Sequence, residues 1–211
     1  RVVLDGYLIG KYEVTNAQYR AFVRATGRDH PPQPYDGWGY ANYFGDSRYD
    51  DHPVVSVSWE DAKAYCEWAG LGLPTEAQWE YAARGKDGRE YPWGNEAPDA
   101  TRERYGGKSR GDDYMKRVGS FPRGASAVGA LDMGGNVGEW CADWYDETYY
   151  AGSGDGKRNP PGPASGSSRV VRGGSWGSSY PAALRCRSRD GSLPCYRNDH
   201  LGLRVVRAAG T

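Results

Sequence analysis

Apolar positions recur at helical spacing in three capped stretches of the amino-terminal half of the chain. Thr15 followed by Gln18 forms a T-x-x-Q capping box, in which each side chain satisfies the other residue's backbone N–H. Ala17, Phe22 and Val23 supply a buried stripe behind it and Gly27 fits a left-handed stop, so the pattern predicts a helix over 16–26. Ser58 with Asp61 starts a second helix, over 59–69, whose Ala62, Tyr65, Cys66 and Ala69 share a face ahead of Gly70. A second T-x-x-Q box, Thr75 with Gln78, opens a short third helix that points Trp79, Ala82 and Ala83 inward and stops at Gly85. Beyond Gly85 the helical period is lost. Clusters of Gly, Pro, Asp and Ser separate short β-prone pieces around 137–140, 169–171 and 203–206. Helices early and strands late, with no βαβ alternation, predict an α+β fold with few helices, many loops and a small antiparallel sheet. The linker-like stretch 155–168 is flanked by aromatic and apolar motifs on both sides, so it reads as a surface loop inside one domain spanning 1–211.

Composition narrows the functional classes. The 211 residues include 8 Trp and 17 Tyr, enough apolar surface for one substantial core, while 31 Gly and 13 Pro imply much irregular backbone. With 27 basic and 27 acidic side chains and no Lys/Arg run, the chain lacks the basic face that displaces phosphate counterions, which excludes nucleic acid as an expected partner. No apolar run approaches the roughly 18 residues of a spanning helix, so no membrane insertion is expected. The start, RVVLDGYLIGKYEV, has neither a signal-peptide core nor a Met; a soluble chain is expected and its compartment stays open. Cys66, Cys141, Cys186 and Cys195 are too few and too widely spaced for a disulfide scaffold, and no CxxC suggests structural zinc. His30, His52 and His200 each follow an Asp and read as isolated loop residues rather than a metal triad.

Seven phrases stand in order along the chain: KYEVTNAQYRAFV from Lys11, HPVVSVSWEDAKAYCEWAG from His52, LPTEAQWEYAARG from Leu73, YPWGNE from Tyr91, DMGGNVGEW from Asp132, RVVRGGSW from Arg169 and GLRVVR from Gly202. Together they resemble the formylglycine-generating-enzyme (sulfatase-modifying factor) domain, over residues 6–207. The resemblance implies a decorated C-type-lectin-like fold. It does not by itself carry the chemistry, because function sits in residues grafted on a fold. Oxidase members of the family hold copper on two cysteines shortly after the GGS phrase, and a thiolate pair suits Cu(I). Here those positions fall on Ser178 and on Pro181 or Ala183, so no copper is expected; Cys186 with Cys195 would be an improbable substitute pair. Cys186 aligns with a structural family cysteine whose partner position falls near Ala83, and Cys66 faces Val205 where the family can have a bridge. A second branch of the family makes carbon–sulfur bonds with three histidines of an iron-binding bundle, which this sequence does not contain.

The family's second calcium site is better preserved. In DMGGNVGEW the resemblance assigns Asp132 and Glu139 as carboxylate ligands and Gly135 and Val137 as carbonyl donors, a hard oxygen set suited to calcium. The competing reading is a tight glycine turn with Glu139 in an ion pair. The family's other site is not carried over, since Thr101 replaces a common Asn and Asp112 and Asp113 stand in a shifted loop.

The segment 177–200, GSSYPAALRCRSRDGSLPCYRNDH, is polar and aperiodic. It resembles the variable region of proteins diversified by diversity-generating retroelements, whose reverse transcription mutates adenines. Leu184, Arg185, Arg189, Pro194, Arg197, Gly202 and Arg204 fit the invariant anchors of such regions, with Leu203 in place of the commoner Phe. An Asn codon changed only at its adenines yields fifteen residue types and never Lys, Glu, Gln, Met or Trp. Those five types are absent from the 24 residues of 177–200, against 29 of the remaining 187, which favours the variable reading over an ordinary Gly/Ser/Arg loop. The expected function is therefore a non-enzymatic binding protein whose surface meets a protein or other macromolecular ligand through Gly177, Ser178, Ser179, Tyr180, Ala182, Ala183, Ser188, Asp190, Gly191, Ser192, Tyr196, Asn198, Asp199 and His200. Tyr with small polar neighbours is the kit of an antibody paratope. Trp176, Leu184 and Leu203 are expected to be buried. The alternatives are a formylglycine-generating-type oxidase with an atypical site and a catalytically silent paralogue.

Overall fold

The computed structural model describes residues 2–34, 40, 42–106, 114–151 and 156–210. Its three α-helices start at the capping boxes. In α1, Asn16–Thr26, the Thr15 side chain accepts from Gln18 N–H while the Gln18 side chain accepts from Thr15 N–H; Gly27 closes the helix at φ 68°. The same reciprocal pair, Ser58 with Asp61, opens α2, Trp59–Trp68, and Thr75 with Gln78 opens α3, Glu76–Arg84. Each box satisfies two N–H groups that the helix cannot bond internally. The inner stripe of α1 differs from the expectation, with Tyr19 and Phe22 buried and Ala17 and Val23 only half-buried. Tyr19 stacks on Tyr65 of α2 with centroids 5.5 Å apart and meets Phe44 edge-on, because the larger ring reaches further across the helix–helix seam.

Among the described residues, eight short strands accompany the helices. β1, Val2–Val3, pairs in parallel with β4, Lys157–Arg158; β2, Tyr7–Ile9, pairs antiparallel with β8, Val206–Ala208. The central sheet has the order β6-β5-β3-β7, built from Asp190–Ser192, Arg169–Arg172, Gly138–Trp144 and Leu201–Leu203. It is mixed rather than antiparallel. β3 runs antiparallel to β5 but parallel to β7, matching Glu139 with Arg172 on one side and with Gly202 on the other. The parallel neighbours β3 and β7 are joined through residues 145–200, in which antiparallel β5 carries the chain back, since a parallel pair cannot be closed by a tight turn. The single β-prone piece at 203–206 is two strands, since the chain turns at Arg204 and Val205 to bury the Arg204 guanidinium.

Trp140 of β3 packs with the α1–α2 aromatics and Leu203, while Trp79 of α3 packs with Cys141, Val170 and Cys186 on the other side. A third apolar cluster joins Tyr40, Tyr43, Tyr49, Met115, Val137 and Trp176. Trp176, Leu184 and Leu203 are all buried. Among the described residues no helix is long and apolar enough to cross a membrane.

Candidate functional site

Segment 177–200 follows β5 through Gly173 and Gly174, both at positive φ, supplies the edge strand β6 that pairs antiparallel with β5, and ends at the start of β7. The scaffold holds it by its main chain. Gly106 N–H donates to Ser178 O at 2.9 Å, Trp59 N–H to Pro194 O at 2.9 Å, Ser56 N–H to Asn198 O at 2.9 Å and Gly138 N–H to His200 O at 2.8 Å. Cys186 N–H donates to Glu90 O at 2.8 Å, and Trp176 Nε1 to Asp199 O at 3.3 Å. The buried Arg172 guanidinium reaches two more carbonyls, Cys186 O at 2.7 Å and Ser188 O. Ser56 sits at φ 58°, a conformation costly for a residue with a Cβ, and its N–H is one of these donors.

Three arginines of the segment face acids from outside it. Arg185 pairs with Glu90 at 2.7 Å, Arg197 with Asp61 of α2 at 2.7 Å, and Arg189 grips Glu76 of α3 with Nε at 2.6 Å and Nη2 at 2.8 Å. Arg172 in turn meets Glu80 at 2.6 Å. Leu184 is buried at the end of a 3₁₀ turn, Pro181–Leu184, and a Cβ on Gly202 would meet Val54 O at 2.5 Å. The residues read as anchors therefore touch the scaffold.

The displayed set behaves differently. Gly177, Ser179, Tyr180, Ala182, Asp190 and Tyr196 are exposed, and Ser178, Ala183, Ser188, Gly191, Ser192, Asn198, Asp199 and His200 are partly exposed. Their side-chain hydrogen bonds stay within the segment or reach its flank: Ser178 Oγ accepts from Ser175 N–H, and Asn198 Nδ2 donates to the Tyr196 hydroxyl. Gly177, Ser178, Ala183, Ser188, Asp190, Gly191, Ser192, Tyr196 and His200 border one open cavity of about 330 Å³, floored by Gly138, Gly173 and Gly174. Ser179, Tyr180, Ala182, Asn198 and Asp199 stand outside its lining. Arg187 and Leu193 are exposed as well although nothing in the sequence marked them, since periodicity has no purchase on a loop; Arg197, expected as an anchor, is exposed yet paired with Asp61, and Cys195 is exposed too.

The residues of the calcium motif lie in a buried cluster of charge. Glu13, Glu103, Asp132 and Glu139 are all buried, with Arg204 the buried cation among them. Glu139 is taken up by protein donors: Oε1 accepts from Arg204 Nη2 at 2.7 Å and Nε at 3.1 Å, Oε2 from Arg204 Nε at 3.0 Å and Trp79 Nε1 at 2.7 Å. These contacts use the lone-pair directions of both oxygens. Asp132, at φ 61°, accepts from Gly119 N–H at 2.6 Å with Oδ2, whereas its buried Oδ1 has no hydrogen-bond partner. Burial raises its carboxyl to about 6, against the lowering effects of the Gly119 N–H and Arg204. Burial and neighbouring acids push Glu13 and Glu103 well above the usual range. Asp132 thus fits a cation, supplying an orphaned oxygen in a cluster where buried acids outnumber the one guanidinium; Glu139 fits the ion-pair reading. No group of three or more His, Cys, Asp or Glu side chains among the described residues is arranged to hold a metal. Thr101 Oγ1 bonds Asp99 at 2.6 Å, and Asp112 and Asp113 lie outside the described residues.

No thiol borders the cavity. Cys186 is buried beside Ala83 and Cys141, and desolvation lifts its thiol to about 12; Cys66 is lifted to about 12 by burial next to Val205. Cys195 is exposed, and all four cysteines are free.

A fold of this arrangement, with its seven phrases in order, matches the sulfatase-modifying factor enzyme 1-like domain over residues 1–209. The chain belongs to that family. It is 35% identical to the formylglycine-generating enzyme of Thermomonospora curvata, covering 97% of this chain and 83% of that protein. It is 34% identical to the serine/threonine-protein kinase pkn1 of Chlamydia pneumoniae, covering 98% of this chain but 34% of the kinase. Among solved structures, Treponema denticola variable protein 1 superposes with a TM-score of 0.76 at 27% identity, covering 99% of this chain and 86% of that one. Proteins similar to this chain thus include an enzyme by sequence and a variable protein by structure, and the fold leaves the choice to the site.

Proposed function

We propose that this family member is a non-enzymatic binding protein, whose segment 177–200 is a diversified surface for a protein or other macromolecular ligand. The main-chain attachment of that segment carries the reading. Scaffold donors bond the carbonyls of Ser178, Cys186, Ser188, Pro194, Asn198, Asp199 and His200, so the path of the chain does not depend on most side chains it displays. Backbone bonds survive side-chain replacement, and this is what a surface that changes from sequence to sequence requires. Likeness to the Treponema variable protein supports the same reading. A structural calcium at Asp132, with carbonyls of Gly135 and Val137, belongs to it as well, since it would partner the orphaned Asp132 oxygen and compensate that carboxylate when ionised.

A library randomised at the displayed positions tests the proposal. Most members are expected to remain folded by thermal melting, and different members to bind different targets. A library that is mostly unfolded overturns it. The rival oxidase reading draws on identity to a formylglycine-generating enzyme. It has its own assay: a cysteine-containing sulfatase peptide incubated with the protein, copper and oxygen. Mass spectrometry is expected to find no aldehyde; aldehyde that disappears in Cys186→Ala or Cys195→Ala would make the chain an enzyme.

A further inference from the structure

We infer that the cavity in the displayed surface receives a cationic side chain, lysine or arginine, projecting from a protein partner; this rests on the binding reading above. The charges around the cavity carry the inference. Two arginines border it, and acids outside the segment neutralise both: Glu76 holds Arg189 through two short bonds, and Glu80 meets Arg172, whose Nη1 and Nη2 also engage carbonyls while its Nε is buried away from the cavity's solvent. The acids of the segment have no such partners. Asp190 is exposed and lines the cavity, and its Oδ1 accepts only the N–H of its own neighbour, Gly191, at 2.7 Å. Asp199 has His200 Nδ1 at 3.5 Å. Among the described residues no Lys or Arg lies within ion-pair distance of either carboxylate, and the exposed Arg187 is not part of the lining.

The remaining chemistry favours a cation over an anion. Hydroxyls of Ser178, Ser188 and Ser192 accept hydrogen bonds from an ammonium or guanidinium, and the half-exposed Tyr196 ring offers a face for cation–π contact. An anion would meet Asp190, and would find Arg189 already held by Glu76 and Arg172 fully buried against Glu80. A volume of about 330 Å³ suits one long side chain rather than a folded segment. Outside it stand Tyr180, 75% exposed, and Leu193, 56% exposed. Such apolar area goes unused by a free amine and is covered by a protein that inserts one residue, aromatic anchors being the usual centres of binding energy.

The test selects a displayed random-peptide library on the immobilised full chain and measures the recovered peptides on Asp190→Asn and on a Tyr180→Ala/Tyr196→Ala variant. Peptides enriched in Lys or Arg are expected, binding Asp190→Asn about tenfold more weakly, the loss of one charge-assisted hydrogen bond, while its melting temperature is unchanged. Peptides that depend on the two tyrosines but show no basic bias and ignore Asp190→Asn overturn this inference and leave the binding reading standing. Peptides indifferent to both variants, or no binders at all, overturn both. N-acetyl-lysine methylamide, which has the amine without the rest of a peptide, is expected to bind far more weakly than the peptides; equal affinity would make the ligand a small amine and refute a protein partner.

Discussion

Trp176 and Tyr180 sit close in sequence with opposite fates, one buried against Tyr114 and Val137, the other projecting into solvent. Trp176→Ala is expected to cost about 3–5 kcal/mol as a core cavity. Tyr180→Ala is expected to stay within about 0.5 kcal/mol. Urea denaturation of both variants checks the contrast, and equal costs would mean that Tyr180 is structural. Arg204 is the other residue with large leverage, because truncating one member of a buried pair leaves the other charge unpaired. Arg204→Met is expected to lose about 3–5 kcal/mol by the same measurement, with Glu139 stranded among three further acids. At Asp132 the orphaned oxygen gives a metal prediction. Calcium added after chelation is expected to raise the melting temperature, on the order of 2.7 kcal/mol at a hundredfold excess over its dissociation constant, and Asp132→Ala to abolish the rise. No response in either protein would assign the turn to the Glu139–Arg204 pair alone.

At the scale of elements, α3 is the part of the scaffold that grips the displayed segment. Its first residue, Glu76, donates its N–H to Asp143 Oδ2 at 2.7 Å and receives Arg189 on its carboxylate, while Glu80, one turn on, receives Arg172. Two variants separate gripping from helix stability. Thr75→Ala removes a cap and is expected to cost about 1 kcal/mol while leaving the segment's local protection intact. Glu76→Gln keeps the shape but gives up the charge, and is expected to speed amide hydrogen exchange in 185–192 beyond any change in global stability. Equal exchange in the two variants would mean that the backbone bonds suffice without the ion pairs. The capped helices were legible in sequence because a capping box is a local device, complete within four residues. The short strands β1, β2, β4 and β6 were not: two or three residues carry no period, and their pairing comes from distant partners such as Val2 with Lys157.

For the whole molecule, buried acids set the response to pH. Desolvation lifts Asp143 and Asp132 to about 6 and pushes Glu13 and Glu103 well upward. Between about pH 4 and pH 6 the native state therefore binds more protons than the unfolded chain, and stability falls as pH rises through that window. In chelator, melting at pH 5 is expected to lie above melting at pH 7.5, and Asp143→Asn to flatten the difference; the opposite slope would contradict the burial of these groups. The surface carboxylates Asp46, Asp87, Asp99 and Asp146, lowered by hydrogen bonds from nearby side chains, oppose this only below about pH 4. What the sequence by itself determined is whatever rests on local or ordered signals: three capped helices, the family from seven phrases, and the burial of Trp176 and Leu184 beside exposed Tyr180 and Tyr196. Tertiary structure alone decided that Glu139 faces Arg204, that Arg172 and Glu76 hold the segment from behind, and that nine displayed residues enclose one cavity. These depend on contacts between residues far apart in the chain, and burial then sets the strength of each charge; neither distance nor desolvation is written in a residue's neighbours.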